Sequence, residues 1–134
     1  MKAFPLKIVT PDGVRFDGMA EELIVRATTG DMGFLAGHTN CVAPLGMGRA
    51  TIVVDGQRRY GACIGGMVSV MNGEVSLVPT TFEWASDIDV ARAEASKQRA
   101  QAILDSKTAS ETDILLAKAK LRRALVRTAV AKTK

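Results

Sequence analysis

The chain has 134 residues, the length of one domain or of two very small ones, which excludes a large multidomain enzyme. With 47% hydrophobic and 24% charged residues and a mean hydropathy of +0.11, it can bury a core and is neither disordered nor low-complexity. The formal net charge of +4 is unevenly laid: residues 1–86 hold 7 Lys and Arg against 8 Asp and Glu, a net of −1, while residues 87–134 hold 11 against 6, a net of +5.

In chain order, the first part reads as short strands rich in Val, Ile and Thr, separated by turn signals. Residues 6–10 lead into the turn Pro11-Asp12-Gly13, followed by strands over 14–18 and 22–27 and a glycine-punctuated stretch over 30–37. Further strands are expected over 41–45, 49–54, 58–64, 67–71 and 74–78. Asp55-Gly56 and Asn72-Gly73 are strong hairpin signals, because a type I′ turn needs positive φ at both central residues. Eight to ten strands in two antiparallel layers, a β-sandwich, is the expectation for residues 1–86.

The remainder is a different polymer. Every glycine, proline, aromatic and methionine lies at or before Trp84, whereas residues 87–134 contain 11 alanines. Ser86 or Asp87 can cap a first helix, with Asp89 in its first turn and an apolar face of Ile88, Ala91, Ala95, Ala102 and Ile103, running to about Asp105. Ser110, with Asp113 three residues on, reads as the cap of a second helix whose apolar positions are Ile114, Ala117, Leu121, Leu125 and Thr128. The short link makes the pair an antiparallel hairpin over 87–134. A mostly alanine face buries little area, so this hairpin is expected to be weakly held and able to open.

Catalytic chemistry is poorly represented. His38, Cys41 and Cys63 do not form a Cys-x-x-Cys pair or a zinc-ligand spacing, so neither a metal nor a catalytic residue is expected, and both thiols read as inert and buried. His38 has no nucleophile beside it and suits a loop or packing role. Gly30-Asp31-Met32-Gly33 and Gly46-Met47-Gly48 lack the Lys-Ser/Thr of a phosphate loop and read as turns and close strand approaches. Nucleic acid is not an expected partner, because no aromatic interleaves with the basic residues of the tail. The residues leave open a free-standing β-sandwich that binds a small ligand and dimerises through its hairpin. A small hydrolase is opposed by the lack of a nucleophile beside a base. The amino-terminal stretch lacks the apolar run of a secretory signal and no apolar run reaches about 18 residues, so a cytoplasmic, non-spanning chain is expected.

Four segments carry a likeness that runs the length of the chain: Leu6-Lys7-Ile8-Val9-Thr10-Pro11-Asp12-Gly13, then Gly30-Asp31-Met32-Gly33-Phe34-Leu35-Ala36-Gly37-His38, then Gly65-Gly66-Met67-Val68-Ser69-Val70, and Asp87-Ile88-Asp89-Val90-Ala91-Arg92-Ala93. In their order and spacing the chain resembles the epsilon subunit family of F-type ATP synthases, equivalent to mitochondrial delta, departing at Ala36 where that family commonly has proline. The resemblance implies a non-catalytic rotor subunit on the cytoplasmic face of the cell membrane, peripheral to it through the complex. Its β-sandwich would bind the gamma subunit and the c-ring. Its hairpin would reach the alpha/beta catalytic head and inhibit ATP hydrolysis there, with Lys118, Lys120, Arg122, Arg123 and Arg127 meeting acidic segments.

The resemblance also implies a regulatory ATP site and no required cofactor. Ile88-Asp89-Val90-Ala91-Arg92-Ala93 fits the Ile/Leu-Asp-x-x-Arg-Ala motif of members that bind ATP, and Glu83, Arg99 and Arg122 match further positions of that site. Helical spacing places Asp89, Arg92 and Arg99 on nearly one face, and arginine forks suit phosphate oxygens. Val126 stands where a last phosphate-facing arginine is expected, with Arg127 one residue later. The same charges also suit i,i+3 pairs on a solvated face.

Overall fold

A computed structural model describes residues 2–133. The chain divides into two compact units, one up to Trp84 and one from Ala85 onward.

The first unit is a β-sandwich of two five-stranded sheets. Its ten strands are β1 (Phe4–Thr10), β2 (Gly13–Ala20), β3 (Glu22–Ala27), β4 (Gly30–Phe34), β5 (Cys41–Pro44), β6 (Met47–Val54), β7 (Gln57–Ile64), β8 (Met67–Met71), β9 (Glu74–Val78) and β10 (Thr81–Trp84). One sheet has the order β2-β1-β9-β8-β5 and the other β10-β7-β6-β3-β4. The count of ten lies within the eight to ten expected, although the segment of β10 is not among those named from the sequence. The expectation of purely antiparallel layers needs correction at one seam, since β1 pairs with β9 in parallel, Leu6 opposite Val75 and Ile8 opposite Leu77. The β8–β9 hairpin returns to the edge of β1 after the chain has visited the other sheet, so its direction is set by β8 rather than by β1.

Alternation builds the core. Leu6 and Ile8 of β1, Val68 and Val70 of β8, and Val75 and Leu77 of β9 are buried against Leu23, Val25, Phe34, Ala50, Ile52 and Phe82 of the other sheet. Each fully buried aliphatic or aromatic side chain contributes about 1.5–3 kcal/mol. Both tight hairpins have the anticipated geometry: Asp55 and Gly56 have φ of 50° and 76°, Asn72 and Gly73 have 52° and 82°. Trp84 ends the sandwich, its ring edge-on to Phe82 at 5.0 Å, beneath the Arg59 guanidinium at 3.8 Å, with its Nε1 donating to the Arg15 carbonyl.

The second unit begins with a 3-10 turn over Ala85–Asp87, then α1 (Val90–Asp105) and α2 (Glu111–Ala131). The two helices contact each other along their length. Asp89 caps α1, its carboxylate accepting from the Arg92 N–H at 3.0 Å, so neither Ser86 nor Asp87 is the cap. Those two residues are used in the 3-10 turn instead. Ser110 caps α2 as its spacing indicates, accepting from the Asp113 N–H at 3.1 Å. The buried face of α1 differs from that expected: it is Ala93 and Ala100, with Ala91, Ala102 and Ile103 exposed, although Ile88 just before the helix is buried; in α2 Ala117 and Thr128 are buried and Ile114 and Leu121 half-buried as expected, joined by Ala124, Val130 and Ala131, with Leu125 exposed. In so alanine-rich a helix almost any face reads as apolar, and the seam falls where the smallest side chains allow close approach.

Cys63 lies in the sandwich core, whereas Cys41 is only half-buried, which corrects the expectation that both thiols are buried. Burial pushes the Cys63 thiol from its ordinary 9.0 up to about 12. Between these pH values the unfolded chain carries a thiolate while the folded chain keeps the proton, so the unfolded state binds fewer protons and stability falls as pH rises. This one group is expected to remove about 1.4 kcal/mol of stability per pH unit in that window. Urea melts of the native chain and of Cys63→Ala between pH 9 and 11 check it: the native chain shows the steeper decline, and equal slopes contradict it.

Candidate functional site

Because β1, β2, β5, β8 and β9 turn alternate residues into the core, the residues between them form the outer face of their sheet. Strand register arranges that face in three rows. Met19, Pro5, Glu74 and Met71 make one; Asp17, Lys7, Ser76, Ser69 and Val42 make the middle one. The third is Val14, Val9, Val78, Met67 and Pro44, apolar on all five strands. Its Val9–Val78 step continues the parallel register one residue beyond Ile8–Leu77. Apart from the half-buried Val9, these apolar side chains are exposed, Met67 to 42% and Val42 to 61%. Five strands at about 4.8 Å spacing make a face about 24 Å wide, and a row of exposed apolar side chains that crosses all of it suits a docking surface. The sequence reading missed it, although Met67-Val68-Ser69-Val70-Met71, apolar at both kinds of position, was the available signal.

The other sheet presents charge. Arg26 and Asp31 pair at 3.3 Å across β3 and β4, both more than half exposed, a contact worth little in itself. The stem of Arg26 lies over Gly48, where a Cβ would come within 2.6 Å of it, so the glycine serves the close approach its pattern suggests. Arg49 stacks on Tyr60 at 4.7 Å, and Glu83 sits on β10 opposite Ala62.

Within the hairpin, the residues singled out for nucleotide are placed as follows. Ile88 is buried just before α1, and Ala93 is buried in it. Arg92 and Arg99 are exposed two turns apart on one side of α1, and Arg99 Nη2 donates to Ser96 Oγ at 3.2 Å. Asp89 does not project with them: its carboxylate is turned back onto the helix end as the cap, which corrects the expected convergence of the three side chains. Glu83 belongs to the sheet unit and Arg122 is exposed on α2. Of the cationic set, Lys118, Lys120, Arg122 and Arg123 are exposed and Arg127 is half-buried. Leu115 and Leu116, missed in the sequence reading, add exposed apolar surface to the first turns of α2.

His38 lies with its ring 4.9 Å from that of Phe34, and its Nδ1 is 2.8 Å from the Thr39 carbonyl, a loop and packing role. The Cys41 sulfur is 4.0 Å from the same nitrogen. Among the described residues no three His, Cys, Asp or Glu side chains converge as metal ligands, and no helix is long and apolar enough to cross a membrane.

Comparison with known proteins assigns both units. Residues 3–85 match the family model of the ATP synthase delta/epsilon chain beta-sandwich domain, and residues 86–132 match that of its long alpha-helix domain. An ATP synthase epsilon chain of Ruminococcus albus is 40% identical over 135 residues, covering 100% of both chains. That of Bacillus subtilis is 44% identical over 114 residues, covering 85% of this chain and 86% of its own. Among solved structures, a chain of the Euglena gracilis mitochondrial ATP synthase, in an assembly of OSCP, F1 and c-ring, superposes with a TM-score of 0.83 at 20% identity, covering 98% of this chain and 82% of its own. At that identity the likeness establishes the fold.

Proposed function

We propose, from the premise that the chain belongs to the ATP synthase delta/epsilon chain family, that it is a non-catalytic subunit of the central stalk. In this role its β-sandwich is seated on the gamma subunit and the polar loops of the c-ring, so that ion flow through the membrane sector turns the stalk. The chain is then peripheral to the cytoplasmic face of the membrane, held there by the complex. The observation that carries this reading is the row of apolar side chains that crosses all five strands on the outer face of the β2-β1-β9-β8-β5 sheet. A rotor subunit that transmits torque needs a broad, rigid, water-excluding seat, of the order of 800 Å² per partner for a stable contact, and a sheet face provides one without ordering any loop.

The hairpin supplies regulation. The residues its helices bury are mostly alanines, Ala93 and Ala100 in α1 and Ala117, Ala124 and Ala131 in α2. Such a seam buries little area, so the pair exchanges its contacts for others at low cost. The exposed cations Lys118, Lys120, Arg122 and Arg123, with Arg127, suit acidic segments of the alpha/beta head, and Leu115 and Leu116 add apolar contact beside them. There the hairpin restrains ATP hydrolysis. ATP binding to the hairpin in its compact form, through Arg92, Arg99 and Arg122 with Asp89 capping the helix that presents them, would hold it away from the head. Ile88 and Ala93 complete the residue set of this nucleotide site within the hairpin.

Val78→Asp places a charge in the apolar row at a position already exposed, so it is expected to leave the thermal unfolding of the chain within a few degrees. Binding to ATP synthase depleted of this chain is expected to weaken about 100-fold or more, the scale set by an unpaired charge buried at an interface. Native affinity in this variant contradicts the seating. Deletion of residues 88–134 is expected to raise ATP hydrolysis of the reassembled enzyme several-fold, and unchanged hydrolysis contradicts the regulatory role. Isothermal titration of the full chain with ATP is expected to give saturable heat that Arg92→Ala reduces; no heat up to millimolar nucleotide removes ATP from the account.

A further inference from the structure

The described methionines are distributed unequally. Met32 and Met47 are half-buried in the β10-β7-β6-β3-β4 sheet, Met32 against the core. Met19, Met67 and Met71 are exposed, to 53%, 42% and 54%, and all three stand on the apolar outer face of the other sheet. Met67 lies between Val78 and Pro44 in the all-apolar row, and Met71 and Met19 belong to the opposite row, the latter beside Pro5. Polarisable, flexible thioethers fit an adaptable docking surface, but leucine would fill the same space without chemical liability. Of the other sulfur centres, Cys63 is buried with its proton held to about pH 12, and Cys41 is half-buried against the core rather than on this face.

We propose that Met19, Met67 and Met71 form an oxidative modification site on the docking face, and that peroxide reaching the unassembled chain switches this face off. The inference rests on the seating proposed above. A thioether lone pair attacks one oxygen of the peroxide, the O–O bond breaks, and the sulfur becomes a sulfoxide. The proton on the transferred oxygen passes to the departing one, which leaves as water. Sulfur is oxidised by two electrons and peroxide is reduced by two. The product exchanges an apolar group for a strong, chiral acceptor. On the free face that acceptor is hydrated and costs the fold little. On docking it is stripped of water, and the side chains of its own row, Val14, Val9, Val78 and Pro44 around Met67, or Pro5 and Glu74 around Met19 and Met71, offer it no donor. Once the chain is seated the same sulfurs are covered, so the modification discriminates between chains awaiting assembly and chains in the complex. Methionine sulfoxide reductases, one for each epimer, make it reversible.

Graded hydrogen peroxide on the full chain, read by peptide mass mapping and by binding to ATP synthase depleted of this chain, tests it. Met19, Met67 and Met71 are expected to convert several-fold faster than Met32 and Met47. Affinity is expected to fall about tenfold for each sulfoxide buried at the contact, with thermal unfolding little changed. Treatment with both reductases restores binding. The triple variant M19L/M67L/M71L, whatever affinity it starts from, is expected to keep that affinity through peroxide. Sulfoxides confirmed at positions 67 and 71 with undiminished binding overturn the inference. If Val78→Asp still fails to bind in that case, the seating stands and only the oxidative switch falls. If Val78→Asp binds as the native chain does, the seating falls and the switch falls with it. Faster conversion of Met32 or Met47 also overturns it.

Discussion

The sandwich depends on two sheets burying one face each against the other. Leu6, Ile8, Val68, Val70, Val75 and Leu77 on one side, and Leu23, Val25, Ile52, Phe34 and Phe82 on the other, supply most of the apolar area that leaves water. Since successive strand residues point to opposite faces, this requirement also decides what the outer faces present. An outward position is free of packing demands and is expected to be polar. Val14, Val42, Val78, Met67 and Met71 are outward, apolar and exposed, so the fold of the sandwich does not account for them, and the proposed seating does. The stalk reading and the oxidative site both descend from that constraint.

The second unit answers to the opposite logic. Its helices are closed by well-formed caps at Asp89 and Ser110, yet what they bury is mostly alanine, the residue that adds least to a buried interface. Local rules make each helix firm and leave their pairing cheap to exchange. The +5 net charge of this unit, against −1 for the sandwich, adds long-range attraction to acidic surfaces. A rigid anchor and a cationic element of low packing energy are what a rotor subunit with a regulatory arm requires.

Much of this was legible in the residues. Where turn chemistry is strict the boundaries were clear: Asp55-Gly56 and Asn72-Gly73 set their hairpins, and β3, β8 and β9 run over the residues that the pattern indicates. Where the signal is short or degenerate it failed. The strand Thr81–Trp84 has only four residues after a proline, too few for alternation to register. Three acceptable caps within four residues, Ser86, Asp87 and Asp89, cannot be ranked without knowing that the first two are taken up in a 3-10 turn. The face of α1 was misplaced because alanine marks every face alike, whereas in α2 the spacing of Ile114, Ala117, Leu121 and Thr128 marks the covered face. The docking face was hidden for another reason: it exists only through register, which sets Met67 of β8 between Val78 of β9 and Pro44 of β5, residues far apart in the chain. The arginines of the nucleotide reading could be aligned by spacing, but the turn of Asp89 onto its own helix end could not be foreseen from spacing alone.

Site-directed photo-crosslinking in the assembled enzyme tests the seating most directly. A photoreactive residue placed at Val42, exposed on the apolar sheet face, is compared with one at Arg58, exposed on β7 of the other sheet. The account predicts that position 42 joins the chain to the gamma subunit and that position 58 does not. Crosslinks to gamma from position 58 with none from position 42 would contradict it.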